Sequence, residues 1–232
     1  MKTSKVYILQ HSSIVRPYAL FEHFEKLKIE VELCTFVPAL HALGWKEPSG
    51  VGPVLLLGGP QSVYESEENP WLENEIAYVR KCIQAGERSF GICLGGQVLS
   101  HILGAKIYKS PEPEVGWYPV QINKAASLLG LKNETLSFFQ WHFDAFEFPQ
   151  ESIPLFVGAE PNSAQGYLWK DQVLAIQFHP EMTHEGSLLL CNKFNVPMGT
   201  QLTTSACRET DFKVHSKTSH EVLKKILEWF LH

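Results

Sequence analysis

The sequence predicts an α/β fold: a three-layer sandwich in which a mostly parallel central sheet lies between helices. Three observations point there. Val54-Leu55-Leu56-Leu57 is apolar at every position and stops at Gly58-Gly59-Pro60, as expected of a strand covered on both faces. Strand-like and helix-like segments alternate through the first hundred residues, the pattern of βαβ units. The chain has 232 residues, 44% of them hydrophobic, which is enough to bury such a core without staples.

Each element has its own signal. Residues 6–9 form an apolar first strand. Pro17 stands where a first helical residue tolerates a missing N–H, and Phe21, Phe24 and Leu27 follow at helical spacing. Residues 29–36 alternate apolar and charged side chains and suit a less buried strand. Leu72, Ile76, Val79 and Ile83 form one stripe of a helix that starts near Trp71 and stops at Gly86. Residues 89–92 make a short strand that runs into Cys93-Leu94-Gly95-Gly96-Gln97 and an apolar helix, 98–103. Beyond residue 104 helical periodicity fades. Short strands are expected at 105–108, 116–122, 135–141, 153–159, 164–169 and 173–177. One helix is expected at 185–194. A last one opens at the Thr218-Ser219-His220-Glu221 capping box and continues through Val222, Ile226, Leu227 and Phe230. Residues 196–217 read as a loop or irregular helix. Residues 1–232 read as a single domain, with no repeat, low-complexity tract or linker.

Composition excludes several function classes. Twenty basic and 25 acidic residues give a net charge of −5, and no basic run exceeds two residues. Neither nucleic acid nor an anionic membrane surface is an expected partner. The longest aliphatic runs are of strand length, so no membrane span is expected. The N-terminal apolar stretch is too short for a signal-peptide core, and the Asn133-Glu134-Thr135 sequon is then silent. Five cysteines, at 34, 82, 93, 191 and 207, are an odd number without a CxxC pair. A disulfide framework and a zinc–cysteine site are both unexpected, and a reducing, cytoplasmic compartment is the expectation. The acidic stretch 65–75 reads as a solvated loop and helix start.

Chemistry concentrates in three places. In Gly91-Ile92-Cys93-Leu94-Gly95 a cysteine sits between a strand and a helix, with glycines two residues to either side, the cysteine form of a nucleophile elbow. The helix N-terminus favours the thiolate. The backbone N–H of Leu94 points where an oxyanion would form. A buried structural cysteine beside packing glycines is the alternative, and it is how the other four cysteines are read. The general-base candidate is His179, in Gln177-Phe178-His179-Pro180-Glu181, just beyond an apolar strand. Glu181, two residues on in extended chain, can reach the far nitrogen of that imidazole and orient it. Gly58-Gly59-Pro60 ends another buried strand, and its glycines let a backbone N–H approach a ligand. A metal held by His179, Glu181 and His184 fits by ligand type. Pro180 stiffens that stretch, however, and no second ligand cluster accompanies it.

GGP, GICLGGQ and FHPE, in this order and at these separations, resemble class I (triad-type) glutamine amidotransferases. The resemblance spans about residues 5–185 and is nearest to the stand-alone, GMP-synthase-like branch. Trp141-His142-Phe143-Asp144 and, loosely, Asn162 to Tyr167 resemble segments of that branch. The resemblance implies a flavodoxin-like fold and no cofactor. Cys93 would attack a glutamine side-chain amide to form a γ-glutamyl thioester, with His179 moving protons and Glu181 orienting it. Gly59 and Leu94 would supply the oxyanion hole. Gln97 and the backbone around Gln140, Trp141 and His142 would hold the glutamyl amino and carboxylate ends. Gly96 departs from the family, which often has His or Met there. The chain has no GxxxxGK[ST] loop, so a synthase or other acceptor module would be a separate chain. The competing implications are a stand-alone γ-glutamyl peptide hydrolase and a non-catalytic regulatory module. Chaperone- and deglycase-type cysteine elbows usually place His after the cysteine, where this chain has Leu94.

Overall fold

The computed structural model describes residues 5–15, 18–35, 48–158, 163–194 and 206–232. Pro17, and the parts of the expected elements at 36, 159–162 and 196–205, lie outside the described residues. The strands are β1 (Lys5–Gln10), β2 (Glu30–Thr35), β3 (Val54–Leu56), β4 (Ser89–Ile92), β5 (Ile107–Ile122), β6 (Thr135–Phe146), β7 (Ser152–Val157), β8 (Ala164–Trp169) and β9 (Val173–Ile176). The helices are α1 (Tyr18–Leu27), α2 (Trp71–Gln84), α3 (Leu94–Ile102), α4 (His184–Lys193) and α5 (Glu209–Phe230), with a 3-10 turn at Lys124–Leu129.

The strands join into one sheet in the order β2-β1-β3-β4-β9-β8-β7-β5-β6. The expectation of a mostly parallel sheet is corrected: the sheet is mixed. The pairings β2–β1, β1–β3, β3–β4 and β4–β9 are parallel. Those of β9–β8, β8–β7, β7–β5 and β5–β6 are antiparallel. Parallel neighbours need long crossovers, whereas antiparallel ones need only short turns. Helical periodicity stops after residue 104, and the parallel strands end with it, save β9.

Side-chain alternation along the buried strands builds two cores. Val6 and Ile8 of β1 face Leu20 and Phe24 of α1 and Val222, Ile226 and Phe230 of α5. Tyr7 and Leu9 face the other way, onto Leu72, Ile76 and Val79 of α2 and Val98 and Leu99 of α3. Each such fully buried aliphatic side chain contributes about 1.5–3 kcal/mol. A third cluster lies at the antiparallel end, where Val115 and Phe139 meet Leu190 of α4 and Phe212 of α5.

Three further expectations change. The strands foreseen at 105–108 and 116–122 are one strand, β5. Pro111 and Pro113 fall where its register with β6 shifts between Lys109 and Glu114, a break in the ladder that tolerates missing N–H groups. The last helix begins nine residues before the Thr218 capping box, at Glu209, because Phe212 and Ser219 already continue its buried stripe. A disulfide does occur, joining Cys191 in α4 to Cys207 ahead of α5. Cys34, Cys82 and Cys93 take no part in a disulfide among the described residues. Among the described residues, no helix is long and apolar enough to cross a membrane, and no cluster of three metal-ligating side chains occurs.

Candidate active site

The parallel strands β1, β3, β4 and β9 end on one rim, and the candidate residues stand there. Cys93 is the single residue between β4 and α3, with φ 53° and ψ −112°. Such a backbone costs about 1–3 kcal/mol and persists only where its surroundings enforce it. Here the Cys93 N–H donates to the Ile176 carbonyl, and the Cys93 carbonyl accepts from the Gln97 N–H, each at 2.9 Å. The flanking glycines are a packing requirement. A Cβ on Gly91 would lie 2.4 Å from the Gly95 carbonyl oxygen, and one on Gly95 would lie 2.3 Å from that of Leu56. The departure at Gly96 has the same explanation, since a Cβ there would stand 2.6 Å from the Ile176 oxygen. The glycine lets α3 sit directly on the end of β9.

Cys93 is only 6% exposed, and its Sγ lies 3.8 Å from the Trp141 carbonyl oxygen. Across from it, His179 Nδ1 is 2.8 Å from Glu181 Oε1, both side chains being buried. Burial alone pushes the imidazole pKa down. The Glu181 carboxylate and the Cys93 sulfur outweigh this and hold it up at about 10. The His179 N–H donates to the Phe139 carbonyl at 2.8 Å, which ties this loop to β6.

Gly59 and Leu94 are brought together. A Cβ on Gly59 would meet Leu94 Cδ2 at 2.8 Å and His11 Cβ at 2.7 Å. Leu94 is the first residue of α3, so its N–H has no acceptor within the helix. Gln97, Trp141 and His142 line the cavity beside Cys93, which encloses about 700 Å³ including its open mouth. The Gln97 amide donates to the Asp144 carbonyl at 3.2 Å. Gln140 is different: its buried amide turns away and donates to Gln165 Oε1 at 2.8 Å. His142 is held by the Asp144 carbonyl at Nδ1 (3.0 Å) and by Glu114 at Nε2 (2.8 Å). Burial raises the Glu114 carboxyl pKa, but His142 and Gln165 overcome that and leave it below the usual carboxylate range.

Asp144, in the Trp141-to-Asp144 segment that carries the resemblance, lines the cavity, and its carboxylate accepts from Ser62 Oγ at 2.5 Å and Tyr64 OH at 2.9 Å. One feature was not foreseen. Glu75, read as part of a solvated acidic stretch, is fully buried. Its two oxygens lie 3.0 and 2.9 Å from His11 Nε2, and His11 Nδ1 is 2.9 Å from the Leu57 carbonyl oxygen. The pair therefore braces the strand end that leads into Gly58-Gly59-Pro60. Burial works against charge on His11, and Glu75 outweighs it, so the imidazole pKa is raised. The only sequence signal was Glu75 falling one residue before Ile76 on the helix, beside the apolar stripe.

Comparison with known proteins shows the family and the fold. The family profile of glutamine amidotransferase class-I matches residues 14–195. One subunit of a glutamine-hydrolyzing GMP synthase from Sulfurisphaera tokodaii is 30% identical over 132 residues, 56% of this chain and 68% of that one. A GMP synthase from Clostridium botulinum is 33% identical over 143 residues, 60% of this chain but only 26% of that protein. The match thus spans about a quarter of the longer synthase. A glutamine amidotransferase structure from Thermotoga maritima superimposes over the whole of both chains with a TM-score of 0.84 at 23% identity. That likeness concerns the fold.

Proposed function

The chain belongs to the class I glutamine amidotransferases, and on that premise we propose that Cys93, His179 and Glu181 act as a triad that hydrolyses a γ-glutamyl amide. The reading is carried by the 2.8 Å contact of His179 with a buried Glu181, next to a cysteine held at positive φ on a helix N-terminus. The raised imidazole pKa favours the imidazolium form of His179. The thiolate adds to the γ-carbonyl carbon. Charge gathers on the carbonyl oxygen, to which the N–H groups of Gly59 and Leu94 donate. The C–N bond breaks as His179 gives its proton to the departing nitrogen, which leaves a γ-glutamyl thioester on Cys93. Water, deprotonated by His179, then adds to the thioester, and glutamate leaves as the C–S bond breaks. Glu181 orients the imidazole and stabilises its charged form. Gln97, Asp144 and the backbone of Trp141 and His142 hold the glutamyl amino and carboxylate groups. The chain works as one domain over residues 1–232. When glutamine is the donor, a separate synthase chain consumes the ammonia. The Sulfurisphaera relative, itself one subunit of a GMP synthase, supports that arrangement.

The test is glutamate release by the purified chain, with mass spectrometry of the acid-quenched enzyme. Turnover that depends on Cys93, with a γ-glutamyl adduct on the peptide carrying it, is the expected result. Turnover retained by Cys93→Ala would overturn the triad.

A further inference from the structure

We infer that the amine released by this site carries an apolar substituent, so that γ-glutamyl amides of aromatic or branched aliphatic amines are better donors than glutamine. The inference rests on the thioester reading and names its substrate class. The cavity beside Cys93 has two unlike walls. One is polar: Gln97, Ser62 and Asp144 line it, with Gln97 bonded to the Asp144 carbonyl and Ser62 to its carboxylate. That wall suits the charged amino and carboxylate ends of a glutamyl group.

The other wall is apolar, made by Val15, Trp141, Leu190 and Phe194. It lies on the side of His179. Phe139 sets its ring edge against His179 with centroids 6.4 Å apart, Trp141 stacks on Phe139 at 6.3 Å, and Phe194 packs on Trp141 at 6.0 Å. Val15 and Leu190 belong to the same apolar cluster as Phe139. His179 is the proton donor to the departing nitrogen, so a substituent on that nitrogen projects along this wall. Ammonia offers nothing to cover these side chains, and Phe194 stands 46% exposed. An apolar amine would remove both surfaces from water in the complex that precedes C–N cleavage.

The bond changes stay balanced. Cys93 sulfur bonds the γ-carbon, the C–N bond breaks, and the amine leaves neutral with the proton from His179. Water then cleaves the thioester to glutamate and returns a proton to the Cys93–His179 pair.

The experiment compares kcat/KM for glutamine, γ-glutamyl benzylamide and γ-glutamyl ethanolamide on the purified chain, with glutamate as the readout. We expect benzylamide to exceed both others by at least tenfold, since a few methylenes in an apolar subsite discriminate on the order of 10–200-fold. Phe194→Ser, checked for an unchanged thermal midpoint, should lower the benzylamide-to-glutamine ratio at least threefold. Turnover of glutamine equal to or faster than benzylamide overturns the inference while leaving the thioester mechanism intact; the apolar wall is then a surface for a partner chain. No turnover of any donor and no adduct on Cys93 overturns the thioester reading itself, and this inference with it.

Discussion

The parallel strands β2-β1-β3-β4-β9 and the antiparallel strands β8-β7-β5-β6 meet within one sheet and contribute differently to one cavity. The parallel half supplies the groups proposed to react. Cys93, Gly59 and His179 each follow the C-terminal end of a parallel strand, where every strand must turn sharply and backbone N–H groups are exposed. The antiparallel half supplies shape. Trp141, His142 and Asp144 lie along β6, an edge strand that runs past the cavity without a break in the chain. Turns concentrate strain and unpaired donors, which serve chemistry. An unbroken strand holds a row of side chains at fixed spacing, which serves recognition. Substitutions in the two halves should therefore separate in kcat and KM.

The largest effect belongs to the parallel half: Cys93→Ala should lower kcat for glutamate release by roughly 10⁴-fold or more. Glu181→Gln comes next, at roughly 10²–10⁴-fold in kcat. It should also move the alkaline limb of the pH–rate profile to lower pH. The His179 pKa is raised from 6.5 to about 10, so stabilisation of the imidazolium is complete below pH 6.5 and lost as pH rises through about 10. Without the carboxylate, burial prevails and the proton is lost earlier. An alkaline limb unmoved in this variant would show that Glu181 does not act on His179. Glu75→Gln tests the brace under the Gly59 turn. It should cost about 1–3 kcal/mol of stability, read as several degrees in thermal midpoint, and about tenfold in kcat with KM little changed. The smallest effect belongs to the antiparallel half: Asp144→Asn should raise KM roughly tenfold with a minor change in kcat. A fall in kcat alone there would erase the division of labour between the halves.

The parts of the site that were legible in the sequence are those whose demands are local. Gly91 and Gly95 flank Cys93 because their missing side chains make room for backbone oxygens within a few residues or on the next strand. His179 and Glu181 pair across one proline, so their geometry follows from extended chain. What escaped was set by distant contacts. His11 and Glu75 are 64 residues apart, and the place of Glu75 beside the apolar stripe does not name its partner. Cys191 and Cys207 are 16 residues apart without a spacing motif. The mixed sheet was half visible: the loss of helical periodicity after residue 104 announced short connections, but not which strands they would pair. The Thr218 box misled because Ser219 and Phe212 bury against other elements, and tertiary packing carried the helix through a sequence that locally favours a start.

The Cys191–Cys207 bond also changes what a cut in the backbone would do. It closes a covalent ring around residues 192–206, so a protease acting anywhere inside that interval would nick the chain without dividing it. The piece carrying Cys93 and His179 and the piece carrying α5 would migrate as one band on a non-reducing gel and as two once a thiol is added. α5 packs against β1 through Val222, Ile226 and Phe230, so the nicked molecule would keep its terminal helix both by packing and by the sulfur bridge.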